Sequence, residues 1–241
     1  MLWDVDYTLV RADGLGTRLY EDVFRELFGR DLAAVAPKAG RTDRAITLDT
    51  LELAGVDEPQ ARVDDFLAAL ARHVAAADGT QTAHVRAAAG APTAIAALAG
   101  AGLRQSVLTG NIRPLAALKL RAAGLGEHLD LEVGAYGDVH EVRAELVPVA
   151  RRAASLAYGA DFAGLSTVLV GDTPLDVAAA LATGARAVGV ATGSFPAADL
   201  VSAGAHAVLP DLTDAALVLA AVTGAFSGLA AGAGRARSRR F

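Results

Sequence analysis

The chain has 241 residues, 53% of them apolar and 20% charged, with a net charge of −5 and no cysteine. That length is ample for a buried core and suits one domain with an insertion or two modest domains. The balance of apolar and charged residues excludes a disordered chain, and the missing cysteines exclude disulfides, thiolate zinc sites and cysteine nucleophiles. A mildly acidic chain has no bulk-charge attraction for nucleic acid. Among its 22 basic residues only Lys38 and Lys119 are lysines, a bias that reads as compositional.

The first six residues, Met1 to Asp6, carry two acids and no basic run. They do not read as a secretory leader, and the expected compartment is the cytoplasm. Their alternation predicts a short strand within residues 1–8. Residues 11–77 change to helical spacing, with Leu19, Val23, Phe24 and Leu27, then Leu48, Leu51 and Leu53, then Phe66, Leu67, Leu70 and Val74. No strand-like run interrupts them. A second regime begins near Gly90, where helices alternate with short apolar strands. Strands are expected at Ser106–Thr109, Leu129–Val133, Thr167–Val170, Ala187–Val190 and, as an edge, Ala207–Leu209. Helices are expected at Pro92–Leu98, Pro114–Ala123, Arg143–Tyr158 and Leu175–Thr183, the last three closed by Gly124, Gly159 and Gly184.

One uncharged stretch, Ala215 to Gly234, is long enough to span a bilayer. It is broken by Gly224, Gly228 and Gly232 and reads as a core helix, so no membrane partner is expected. The tail that follows holds Arg235, Arg237, Arg239 and Arg240 among small residues. It reads as a disordered, solubilising end, with a phosphate- or membrane-binding segment as the other reading.

Strands alternating with helices imply βαβ crossovers, a parallel sheet and helices on both faces. The expected fold is therefore a doubly wound, Rossmann-like α/β core of residues 1–10 and 86–225. An all-helical insertion occupies 11–85, and 226–241 form the tail. In such a sheet ligands bind at the carboxyl ends of the strands, and polar residues cluster there. Asp4 and Asp6, two apart on one strand, project to the same side, and like charges about 4 Å apart repel by ~4 kcal/mol at an effective dielectric of 20. The pair therefore needs a cation, a shared proton or separation. Thr109, Gly110 and Asn111 end the next strand, as an anion-binding turn or as the cap of the helix near Pro114. Asp172 ends the Thr167–Val170 strand, and Asp176 follows on the next helix. One carboxylate at a strand tip suits Mg²⁺, and capping is the alternative. Arg143 opens its helix against the preference of the helix dipole, and its guanidinium suits a phosphate.

Taken together and in order, these segments resemble the haloacid dehalogenase-like hydrolase superfamily over residues 1 to about 210. Asp4-Val5-Asp6-Tyr7-Thr8 is similar to the first motif of that family, Leu108-Thr109-Gly110-Asn111 to the second, and Gly171-Asp172-Thr173-Pro174-Leu175-Asp176 to the fourth. The helical insertion, with Gly40-Arg41-Thr42-Asp43, resembles the cap of the phosphoglycolate phosphatase-like subgroup. Three departures stand out. Tyr7 replaces the usual glycine, only three residues precede Asp4, and the third-motif lysine is replaced by Arg143, with Lys119 in reserve.

The resemblance implies a Mg²⁺-dependent phosphoric monoester hydrolase acting on a small phosphorylated metabolite through an aspartyl-phosphate. Asp4 would be the nucleophile and Asp6 the general acid and base. Mg²⁺ would be held by the Asp4 carboxylate, the Asp6 carbonyl and Asp172, with Asp176 behind them. Thr109, Gly110, Asn111 and Arg143 would hold the phosphate, and Arg41, Thr42 and Tyr20 would meet the rest of the substrate. A β-phosphoglucomutase-like mutase and a catalytically idle binding module are the alternatives. Phosphonatase chemistry would need a Schiff-base lysine, for which Lys38 is the one cap candidate. The five histidines lack metal-ligand spacing, and His140 reads as a loop residue.

Overall fold

The computed structural model describes residues 1–225; the arginine-rich tail anticipated at 226–241 lies outside them. Strand β1 (Leu2–Trp3) leads through a tight turn to β2 (Val10–Arg11). Four helices follow, α1 (Leu15–Phe28), α2 (Asp43–Leu53), α3 (Pro59–Ala76) and the single turn α4 (Gly79–Thr82). Strand β3 (Arg86–Ala87) then pairs antiparallel with β2, so the helical segment leaves and rejoins the chain at one two-stranded ribbon. Beyond it run α5 (Ala91–Gly100), β4 (Ser106–Val107), α6 (Arg113–Ala122), α7 (Leu146–Tyr158), β5 (Val168–Gly171) and α8 (Pro174–Ala182). The remaining elements are β6 (Arg186–Val190), α9 (Ala197–Ser202), β7 (Ala207–Leu209) and α10 (Ala215–Thr223).

The main sheet is parallel throughout, in the order β4-β1-β5-β6-β7. Alternation along each strand divides its side chains between two cores. Trp3, Val107, Val170 and Val188 face the side covered by α5, α6, α10 and the helical insertion. Leu2, Leu108, Leu169 and Ala187 face α7, α8 and α9. Burial on both faces is what a doubly wound sheet requires. Among the described residues no helix is long and apolar enough to cross a membrane.

Two expectations change. Leu129–Val133 is not a strand, because the Asp130 side chain accepts the Glu132 amide at 3.0 Å and winds Leu131–Val133 into a 3₁₀ turn. A lone bridge between Leu108 and Ala135 takes its place beside β4. The first strand is also shorter than residues 1–8, since the amides of Leu9 and Val10 both turn back to the Val5 carbonyl at 2.9 Å.

The start of α2 seats the insertion on the sheet. The Asp43 amide donates to the Gly110 carbonyl at 2.6 Å and the Arg44 amide to that of Gly137 at 2.9 Å. Thr42 Oγ1 donates to the Glu141 carbonyl at 2.9 Å. The backbones approach so closely that a Cβ on Gly110 would lie 1.9 Å from the Arg41 carbonyl oxygen, and one on Gly137 1.8 Å from that of Gly110. In return Asp43 Oδ2 accepts the Ile112 amide at 2.8 Å, and Oδ1 accepts the Tyr20 hydroxyl at 3.0 Å.

Burial pushes the Asp43 carboxyl up to about 6, against the lowering effects of the Ile112 amide, the Lys119 charge and Tyr20. A carboxyl raised in the folded state contributes stability that is full below its unfolded value near 3.8 and is lost as pH rises through about 6. Asp43→Asn, which cannot ionise, should therefore cost more stability at pH 4 than at pH 7 in denaturant titrations. Asp43→Ala, which orphans the Ile112 amide, should cost about 1–3 kcal/mol at pH 4.

Candidate active site

The carboxyl ends of β1, β4 and β5 open into a cavity of about 530 Å³, roofed by the helical insertion. Asp4 follows β1, Thr109 follows β4 and Asp172 follows β5, and all three line it. Arg143, in a 3₁₀ turn ahead of α7, reaches across from the side. Its Nη2 donates to Asp4 Oδ1 at 2.6 Å and lies 2.5 Å from Asp176 Oδ1, and it also donates to the Leu108 carbonyl at 3.2 Å. These groups are buried. The carboxylates explain why a cation sits at a helix start. Arg143 Nε is buried and finds no acceptor among the described residues.

Asp176 does two jobs with its two oxygens. Oδ2 accepts the Thr173 amide at 3.0 Å in a capping box that starts α8, while Oδ1 meets Arg143. Carboxylate oxygens of Asp4, Asp172 and Asp176 all lie within 4.8 Å of one another. Burial first, and then the charges of Asp176 and Asp172, hold Asp4 well above the usual carboxylate range despite Arg143. Burial and Asp176 push Asp172 up to about 7. Burial alone would lower Arg143, but Asp176 and Asp4 outweigh it and raise it. Three carboxylates against one guanidinium leave a deficit of positive charge in an oxygen-only donor set. That is the chemistry a hard divalent cation requires.

The carboxylate of Asp6 lies outside this trio. Lys119 Nζ donates to both of its oxygens at 2.7 Å, and Asn111 Nδ2 donates to Oδ2 at 2.6 Å. Burial raises Asp6, but the Lys119 charge and the hydrogen bonds from Lys119 and Asn111 prevail, so it sits below the usual range. Lys119 also donates to Asn111 Oδ1 at 2.8 Å. The two basic residues weighed for one position therefore both reach the cavity, Arg143 beside Asp4 and Lys119 beside Asp6. The signal for Lys119 was its spacing: it lies four residues from Leu115 on the buried side of α6.

Thr109 Oγ1 accepts the Asn111 amide at 3.2 Å and its Nδ2 at 2.9 Å. Gly110 lines the cavity while its carbonyl holds Asp43. Arg41 lines it too, but its guanidinium pairs with Asp49 at 2.7 Å and donates to the carbonyls of Pro37 and Ala45. Tyr20 presents its ring, its hydroxyl being engaged by Asp43 and Thr47. Lys38 also lines the cavity, bonded to the Thr17 hydroxyl. Thr42 is not among the lining residues and serves the docking contact. His140 closes a local turn by accepting the Val142 amide at 3.0 Å. Replacing Arg143 with Met should destabilise the fold by about 3–5 kcal/mol, since it leaves buried carboxylates uncompensated. Calorimetry should show the deficit shrinking at low pH, where those carboxylates take up protons.

A family profile for haloacid dehalogenase-like hydrolases matches residues 1–181. No curated protein matches the chain. Among solved structures, a hydrolase from Pseudomonas syringae is similar over 90% of this chain and 96% of its own, at 20% identity and a TM-score of 0.63. A Bacteroides vulgatus protein carrying the name β-phosphoglucomutase is similar over 94% and 89%, at 17% identity and a TM-score of 0.65. A hydrolase of the same family from Deinococcus radiodurans, solved with bound phosphate and sodium, is 28% identical over 93% and 94%, with a TM-score of 0.51. At residues 1–181 the profile takes in the strand ends that carry Asp4, Thr109 and Asp172, and the chain belongs to the haloacid dehalogenase-like hydrolase family.

Proposed function

We propose that this chain is a Mg²⁺-dependent phosphatase that hydrolyses a small phosphate monoester through an aspartyl-phosphate on Asp4, beneath a cap formed by its helical insertion. The observation that carries the reading is the buried trio of Asp4, Asp172 and Asp176, set against a single arginine beside an open cavity. The phosphate and sodium bound to the Deinococcus radiodurans relative support a site for an anion and a cation together.

Mg²⁺ would be held by the Asp4 carboxylate, the Asp6 carbonyl and Asp172, and would supply neutralisation of charge on the transferring phosphoryl group. The remaining work falls to the chain. The Asp4 carboxylate attacks phosphorus as the ester P–O bond breaks. Arg143 and the Thr109 hydroxyl, both lining the cavity, hold the non-bridging oxygens. Asp176 keeps Arg143 in place through Oδ1. Water then attacks the aspartyl-phosphate, and Asp6 takes its proton, releasing phosphate and restoring Asp4. Lys119 and Asn111 keep Asp6 ionised, which suits this second half. The first half calls for the acid form of Asp6, so leaving groups that depart without full protonation are served best by the resting arrangement.

Phosphate release from an aryl phosphate should require Mg²⁺, and Asp4→Asn should lower it by about 10³-fold or more. Full activity in Asp4→Asn would overturn the proposal. Hexose-phosphate isomerisation that depends on a bisphosphate activator would favour the mutase reading instead. In the absence of substrate, millimolar Mg²⁺ should raise the melting temperature of the wild type, and Asp172→Asn should abolish that shift.

A further inference from the structure

Tyr7 occupies the tight turn after Asp6 with its backbone in the left-handed region, at φ 59°. Glycine adopts that conformation freely and a bulky side chain does so only under strain. Such an outlier persists where something other than local preference keeps it. Core packing does not account for the ring: Tyr7 is 42% exposed, whereas Val5, Thr8 and Leu9 around it are buried.

The ring is nevertheless tied to its neighbours. Its hydroxyl donates to Asp13 Oδ1 at 3.0 Å, and the Arg11 guanidinium lies over it at 5.1 Å from the centroid. Arg11 is bonded in turn to the Thr192 carbonyl, and the Thr192 hydroxyl donates back to the Tyr7 carbonyl at 2.7 Å. Tyr7 lines the same cavity as Asp6, its chain neighbour. Tyr7 therefore borders the part of the cavity next to Asp6.

We propose that Tyr7 is a specificity-determining residue of this site, its tethered ring selecting phosphate monoesters with a flat, unsaturated leaving group over saturated ones of equal size. The assignment rests on the phosphatase reading and narrows it to a substrate class. A ring already tied to Asp13 and Arg11 loses little further freedom on binding, and aromatic pairs contribute about two- to tenfold in affinity beyond the area they bury.

The test compares phenyl phosphate with cyclohexyl phosphate in the wild type, Tyr7→Phe, Tyr7→Asn and Tyr7→Gly. In the Asn and Gly variants KM for phenyl phosphate should rise about two- to tenfold, with kcat moving much less. KM for the cyclohexyl ester should change less than that, and Tyr7→Phe, which keeps the ring and its Arg11 contact but loses the Asp13 bond, should fall between the wild type and these two variants. Asn and Gly both accept the left-handed backbone, so the melting temperature of these variants should match or exceed that of the wild type. Equal changes in KM for the two esters, or a fall of several degrees in both variants, would overturn the assignment and make the ring structural. If the wild type releases phosphate from both esters and the ratio survives in Tyr7→Gly, the assignment of Tyr7 fails alone. If it releases none from either, the hydrolase reading fails and takes this one with it.

Discussion

Three carboxylates crowded into one buried corner constrain the rest of the molecule. Asp4, Asp172 and Asp176 arrive there from two adjacent strands and the helix that follows the second. Left alone, buried this closely together, they would repel one another strongly. Arg143 meets part of the demand, and its arm defines where the segment between α6 and α7 must pass. The remainder of the demand is met by protonation or by a cation. The corner thus links folding and ligand chemistry: what stabilises the ground state is also what a transferring phosphoryl group would require.

Lys119 and Asp6 form a second, separate pair on the other side of the same cavity. The two acids of the Asp4-Val5-Asp6 string thereby have opposite surroundings, one among like charges and one clasped by an ammonium group. Their carboxyls are driven in opposite directions, Asp4 up and Asp6 down. Neighbouring carboxyl groups whose environments divide them in this way are suited to different roles.

Much of this was legible in the amino-acid sequence because its signals are periodic. The alternation of βα units is enough to read a doubly wound parallel sheet, and polar residues at the ends of apolar runs mark where Asp4, Thr109 and Asp172 come together. Arg143 stood out by opposing the helix dipole, and the buried acids around it supply the reason. Other features leave weaker traces. Lys119 is close in number to Thr109, and linear spacing alone argued against it; helix periodicity swings it back into the cavity. Leu129–Val133 reads as a strand by apolar content, but a single aspartate turn diverts it. The pairing of β2 with β3 joins two-residue segments far apart in the chain, too short to register as a pattern. Tyr7 was noticed as a substitution, while the backbone geometry that gives it meaning shows only in three dimensions.

The seating of the insertion has the least visible signature of all, since its central contacts run from main chain to main chain. Asp43 and Arg44 address the Gly110 and Gly137 carbonyls through their amides, and the glycines contribute by what they lack. An attachment of that kind is indifferent to most side chains around it. A residue that faces the cavity without holding the docking contact, such as Lys38 in the loop before α2, could therefore be exchanged without unseating the insertion. The architecture separates holding from recognising. A lineage built on it can revise which molecules it accepts while the platform beneath, and the spacing between platform and roof, stay as they are.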